Sequence, residues 1–220
     1  MSLPRCSDPR GARRHARFAT LVLAGLLVAG CASGPTTPRS VSGSADGIDP
    51  RLADVPTRAL TLYEQAASAM AAGDSIDAEL RFQEFLLHYP QYPGAHVNLA
   101  IIFADRGDDA AARASLGDAL ALNPQHAQAL NQLGMLERRG GDFLAAEAAY
   151  QQAVAADPEY ALAHYNLGVL YDLYLQRLDA ALQHYEAYQG LVGDDEQVAK
   201  WIADLTRRLN AAQRTANVTE

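Results

Sequence analysis

Few side chains in this 220-residue chain are placed to do covalent chemistry. Its histidines are His15, His88, His96, His126, His164 and His184, and its cysteines are Cys6 and Cys31. No two histidines share an i, i+4 spacing and no Cys-x-x-Cys occurs, so neither a helical metal pair nor a redox motif is present. A phosphate loop and a nucleophile elbow are missing as well. The sequence therefore predicts no enzyme, no metal and no cofactor. What it offers is recognition chemistry. Asn98, Asn131 and Asn166 can bond a peptide main chain, and Tyr63, Ile101, Met135 and Tyr165 can bury its side chains.

Charge narrows the partner. The formal net charge is −8, but residues 1–30 hold five arginines and one aspartate, which leaves 13 basic and 25 acidic residues in 31–220. That part carries −12, and Lys200 is the only lysine in the chain. A phosphate backbone needs clustered Lys and Arg, so nucleic acid is excluded as a partner.

The arginines sit in a distinct leader. Arg5, Arg10, Arg13, Arg14 and Arg17 precede the apolar run Phe18-Ala-Thr-Leu-Val-Leu-Ala-Gly-Leu-Leu-Val-Ala-Gly30. Basic head, short apolar stretch and small residues at its end read as a secretory signal over 1–30. The run is too short to cross a ~30 Å hydrocarbon core as a helix. Its end, Val28-Ala29-Gly30-Cys31, resembles the bacterial lipobox. That resemblance implies cleavage before Cys31, a diacylglycerol thioether on its sulfur and an N-acyl chain, which together make stable anchoring. A plain cleaved signal with a chance cysteine is the alternative. Ala32 and Ser33 follow without an aspartate, which by the same resemblance implies sorting to the Gram-negative outer membrane, facing the periplasm. Residues 31–50 are rich in Ser, Gly, Pro and Thr and read as a flexible tether. It places the following domain on the order of 25 Å from the membrane.

The remainder is periodic. Pro90, Pro124 and Pro158 recur every 34 residues, as do Gly73, Gly107 and Gly141; Asp74, Asp108 and Asp142; Ala78, Ala112 and Ala146; and Leu99, Leu133 and Leu167. Ala66, Ala100, Gly134 and Gly168 hold the same spacing. A small residue at the eighth and an alanine at the twentieth place let two antiparallel helices approach. Gly supplies the positive φ that ends the first helix, Asp caps the second, and Pro ends it. At these residues the sequence resembles the tetratricopeptide repeat. The resemblance implies an all-α, right-handed superhelix over 51–212: units 59–92, 93–126, 127–160 and 161–195, and a capping helix 196–212. A disordered tail is expected over 213–220. Val198, Trp201, Ile202, Leu205 and Leu209 share one face of the last helix, which suits a cap, with dimerisation as the alternative. The fourth unit departs from the pattern: its turn, Tyr174-Leu-Gln-Arg-Leu-Asp179, has one residue extra and no Gly-Asp pair.

The resemblance also places a concave wall on the first helix of each unit. By register it comprises Tyr63, Glu64 and Ala67; Val97, Asn98, Ile101 and Asp105; Asn131, Gln132, Met135, Arg138 and Arg139; and Tyr165, Asn166, Val169 and Asp172. The expected partner-binding residues are Tyr63, Asn98, Ile101, Asn131, Met135, Tyr165 and Asn166. A merely solvated inner face, with Tyr63 or Tyr165 leaning into the core, is the alternative. Tyr63, Asn98 and Gln132 stand where the family's chaperone-tail clamp needs basic residues, so that clamp is not expected. Tyr160, Tyr165 and Tyr174 mark unit four as the expected hot-spot region. The segments around Tyr171 and Tyr188 also resemble TPR lipoproteins of TonB/ExbB-type systems. The reading is a membrane-anchored adaptor in envelope assembly or transport. The alternative is a structural assembly subunit, as in TPR lipoproteins that support secretins of type IV pili.

Overall fold

The computed structural model describes residues 56–218, so the signal segment 1–30, Cys31 and the tether 31–50 lie outside the described residues. Within them the chain is all α. Helix α1 (Thr57–Ala71) pairs with α2 (Ser75–His88), α3 (Pro93–Asp105) with α4 (Asp109–Leu122), and α5 (Ala127–Gly140) with α6 (Phe143–Ala156). Helix α7 (Ala161–Val169) runs into a π-helical turn (Leu170–Tyr174) and pairs with α8 (Leu178–Val192), and α9 (Glu196–Val218) follows. Each second helix also packs on the first helix of the next unit. First helices touch one another, α3 on α5 and α5 on α7, without comparable contact between successive second helices. The first helices therefore line the shorter, inner arc of a solenoid.

The recurring residues build each turn as their chemistry requires. Gly73, Gly107 and Gly141 adopt φ of 79°, 83° and 85°, a left-handed conformation that ends the first helix. Asp74, Asp108 and Asp142 then cap the second helix, each Oδ1 accepting from the backbone N–H three residues on at 3.0 Å. Unit four reaches the same geometry differently. Its extra residue widens the helix end into the π-helical turn, where Leu175 N–H donates to Leu170 O at 3.0 Å, a usual way to absorb one inserted residue. The left-handed position passes to Gln176 at φ 53°, and its side chain donates back to Asp172 O at 2.6 Å.

The eighth place sets the packing distance inside a unit. A Cβ on Gly134 would stand 2.5 Å from the Tyr150 ring, and one on Gly168 would stand 2.5 Å from the Tyr185 ring. Both tyrosines are fully buried, so the rings lie flat on bare backbone. In the first two units Ala66 and Ala100 hold this place, and Phe82 and Leu116 fill the position opposite. The core runs on to the C-terminal end, where α9 buries Val198 and Leu205 against Leu167, Leu170 and Tyr185, with Trp201 and Ile202 packed alongside. This is the closing role expected of the last helix. It extends past 212 to Val218, because the segment Asn210-Ala-Ala-Gln-Arg-Thr-Ala216 offers good helix formers and no Gly or Pro to end it; the tail expected over 213–220 is thus helical as far as it is described.

Two glycine substitutions separate packing from propensity. Alanine in place of a helical glycine gains about 1 kcal/mol, and overpacking a closed core costs about 1–3 kcal/mol. Gly117 lies in α4 with open space where its Cβ would be. Gly117→Ala is expected to raise the melting temperature and Gly134→Ala to lower it, read by circular dichroism.

Candidate partner-binding groove

The wall predicted from register lies on α1, α3, α5 and α7, but its three asparagines are already engaged within it. Asn98 Nδ2 donates to Tyr63 Oη at 2.8 Å, from one unit to the one before it. Asn166 Nδ2 donates to Asn131 Oδ1 at 2.9 Å across the equivalent junction of units three and four. Asn131 is 1% exposed and Asn166 is buried beside it. Burial pushes the Tyr160 hydroxyl up to about 12, opposed by a hydrogen bond with Asn131. These amides staple successive first helices, and breaking such a buried pair costs about 1–3 kcal/mol.

The aromatic residues divide in the same way. The Tyr63 ring meets Phe82 and Phe85 edge-on, each at 5.5 Å. Tyr165 lies 5.3 Å from Tyr188 and 6.0 Å from Trp201, which places it in the contact between unit four and the closing helix. Tyr174 packs on Phe143 at 4.7 Å. Aromatic residues gather in unit four as they do in unit one, and in both they gather largely in packing. The side chains still open on the wall are mixed: Ile101 is half-buried and Met135 is 38% exposed, Gln132 is half-buried, and Glu64 and Asp105 are exposed. Leu162, at the second place of unit four, is exposed and was not singled out by sequence.

Ion pairs across every junction between the four units were also not foreseen. The residue at the twenty-first place of units one to three, on the second helix, reaches into the next unit: Glu79 accepts from Arg106 at 2.7 Å, Arg113 donates to Glu137 at 3.1 Å, and Glu147 accepts from Arg177 at 2.6 Å. The sign of that residue alternates, so no repeating motif shows it. Glu147 also accepts from the Tyr171 hydroxyl at 2.8 Å. Arg139 pairs with Asp109 and donates to Ala104 O at 3.0 Å, and Arg208 of α9 pairs with Asp172 at 3.1 Å. Arg138, its neighbour in sequence, has no such carboxylate among the described residues. Its guanidinium stands 5.9 Å from the Tyr174 ring centroid.

Two histidines that are twenty residues apart meet in unit four. Their Nδ1 atoms are 3.1 Å apart, and His164 Nε2 lies 3.2 Å from Pro158 O. The carbonyl can only accept, so His164 carries its proton on Nε2 and accepts at Nδ1 from His184. The Tyr171 ring stacks on His184 at 5.6 Å. Burial, and then the neighbouring His164, push His184 down to about 4. A pair does not make a metal centre, and among the described residues no group of three or more His, Cys, Asp or Glu could hold a metal ion. No described helix is long and apolar enough to cross a membrane.

Paired helices, a continuous core and a shallow inner wall define an α-helical repeat scaffold, which presents surface for a protein partner. The chain belongs to the tetratricopeptide repeat family, whose model matches residues 63–127 and 131–196. Its fold is that of a protein-binding scaffold. No curated protein matches it. Among solved structures it is similar to pilF of Pseudomonas aeruginosa, with 21% identity over 70% of this chain and 69% of that one and a TM-score of 0.63. It is also similar to MamA of Desulfovibrio magneticus RS-1, with 20% identity over 74% and 92% and a TM-score of 0.58. A thermophilic TPR protein of Thermus thermophilus gives 24% identity over 70% and 84%, with a TM-score of 0.59. At these identities the likeness is one of fold.

The histidine pair makes stability depend on pH with a definite sign. His184 titrates at about 4 when folded and near 6.5 when unfolded, so the unfolded chain binds more protons between those values. Its contribution is complete above pH 6.5 and is lost as pH falls toward 4. Between pH 7 and pH 5 the loss, reduced by solvent screening of the part-exposed ring, is about 1 kcal/mol. Urea midpoints at the two pH values are expected to show it, and His184→Gln is expected to flatten the difference.

Proposed function

We propose that this protein is a membrane-tethered adaptor: lipid on Cys31, a spacer over residues 32–50, and four helix pairs whose inner wall collects a segment of a protein partner for envelope assembly or transport. The observation that carries the reading is the composition of the wall once its internal bonds are made. Its three asparagines are engaged, and at its middle Ile101 and Met135 remain open beside Gln132, with the cation Arg138 one helical turn beyond Met135. Apolar side chains beside a positioned cation suit a peptide more than they suit water. The leader sequence supports the anchor, with the outer membrane as its site and the periplasm as the compartment the repeats face.

A second reading, a structural assembly subunit, draws on the outer arc. Ile76, Leu80 and Leu87 on α2 and Leu144 on α6 are exposed, Leu87 at 82%. That is more apolar surface than a solvated face needs, and it would serve a subunit that binds by its convex side.

Crosslinked capture from envelopes distinguishes the two. With Ile101→Glu and Met135→Glu together, partners are expected to be lost while helical content is kept. An unchanged partner list, with loss on Leu80→Lys and Leu87→Lys instead, would transfer the function to the outer arc. The anchor has its own test: Cys31→Ser is expected to move the protein from the membrane fraction to the soluble fraction, and mass spectrometry of the native N-terminus should find the acylated cysteine. Retention of the variant in the membrane fraction, or an unmodified cysteine, would overturn the lipid anchor.

A further inference from the structure

Arg138 is the one inner-wall arginine left without a counter-ion among the described residues. Arg139 has Asp109, and Arg208, reaching the wall from α9, has Asp172. Around Arg138 the structure places tyrosines instead. Its guanidinium faces the Tyr174 ring at 5.9 Å. It also adjoins the hydroxyl of Tyr150, which burial raises and the cation opposes. Arg138 Nε and Tyr150 Oη are both sealed from solvent, and the hydroxyl's one hydrogen-bond partner is the guanidinium. Tyr150 is itself fully buried. The phenol oxygen can accept from the guanidinium, which uses one of its five N–H groups and leaves the charge without a counter-ion among the described residues. An anionic acceptor would satisfy the guanidinium as well as balance it.

The surroundings say which anion. With −12 on residues 31–220, a polyanion would be repelled, whereas one carboxylate on a protein segment would not. Met135 lies three residues before Arg138 on α5, one turn away on the same face, at a rise of about 4.5 Å. Alternate side chains of an extended segment are about 6.6 Å apart, within the reach of these two long side chains. We propose that Arg138 receives an Asp or Glu side chain of the bound segment, two residues from an apolar side chain that rests on Met135. This rests on the groove reading above. The position differs from the family's chaperone-tail clamp, whose places are held here by Tyr63, Asn98 and Gln132.

The test uses the full chain and a random nonapeptide phage library, with selected peptides then synthesised and their affinities measured. The expected result is enrichment of Asp or Glu two residues from Leu, Ile, Met or Val. Changing that acid to its amide should weaken binding by roughly tenfold or more, as should Arg138→Gln, and the two changes together should cost little more than either alone. Arg138→Lys keeps the charge without the planar fork and is expected to fall between, and it serves as the variant if Arg138→Gln does not fold. Peptides that are lost on Ile101→Glu with Met135→Glu, yet show no acidic preference or bind the Arg138 variants unchanged, would overturn the proposal and leave the groove reading standing. Peptides indifferent to Ile101→Glu with Met135→Glu would overturn both.

Discussion

The closeness of the two helices within a unit governs the rest of this fold, and one small residue sets it. In units three and four that residue is glycine, with a tyrosine ring on the bare backbone where a Cβ would be 2.5 Å from ring carbon. The exchange is one of volume: a larger ring on the second helix is admitted by a smaller residue on the first. Because the rings are sealed at this contact, the second helix has a fixed height against the first, which fixes where its twenty-first residue meets the next unit. Glu79, Arg113 and Glu147 can bond across the junctions only because that height is the same each time. The curvature of the inner wall follows from the same repeated spacing.

The fold was legible because its constraints are local and repeat. Gly73 to Asp74 must turn and cap within two residues, and the chain repeats the pair at Gly107 and Gly141. The inserted residue of unit four was visible as a break in that register, but its resolution was not. A π-helical turn and a left-handed Gln176 depend on how the helix end is held against α8, and no residue type announces that.

The site was legible in position and not in partnership. Register placed Asn98, Asn131 and Asn166 on the inner helices, where they are, but the same sequence would read equally well with their amides free. Whether they bond a ligand or each other depends on the distance between neighbouring first helices, a property of the stack. The fifth place of one unit meets the sixth of the next: Tyr63 with Asn98, and Asn131 with Asn166. At the last junction Tyr165 meets Trp201 of α9, an aromatic contact in place of a hydrogen bond. The His164–His184 pair escaped for a related reason, since twenty residues separate its members and only the antiparallel packing of α7 on α8 brings them together.

This engagement of the amides changes what the wall can recognise. A groove with free amides would hold a partner by its main chain and tolerate many side chains. Here those groups tie successive units together, so the wall gains rigidity and loses most of its capacity to bond a peptide backbone. In the groove reading, recognition is left to side chains, with apolar contact at Ile101 and Met135 and charge at Arg138. Such a surface would discriminate by sequence, because a segment with the wrong residue opposite Arg138 leaves the cation unmatched, and a buried polar mismatch is penalised more heavily than a poor apolar fit. The stapled wall thus exchanges breadth of binding for selectivity, and it does so through the contacts that hold the solenoid in register.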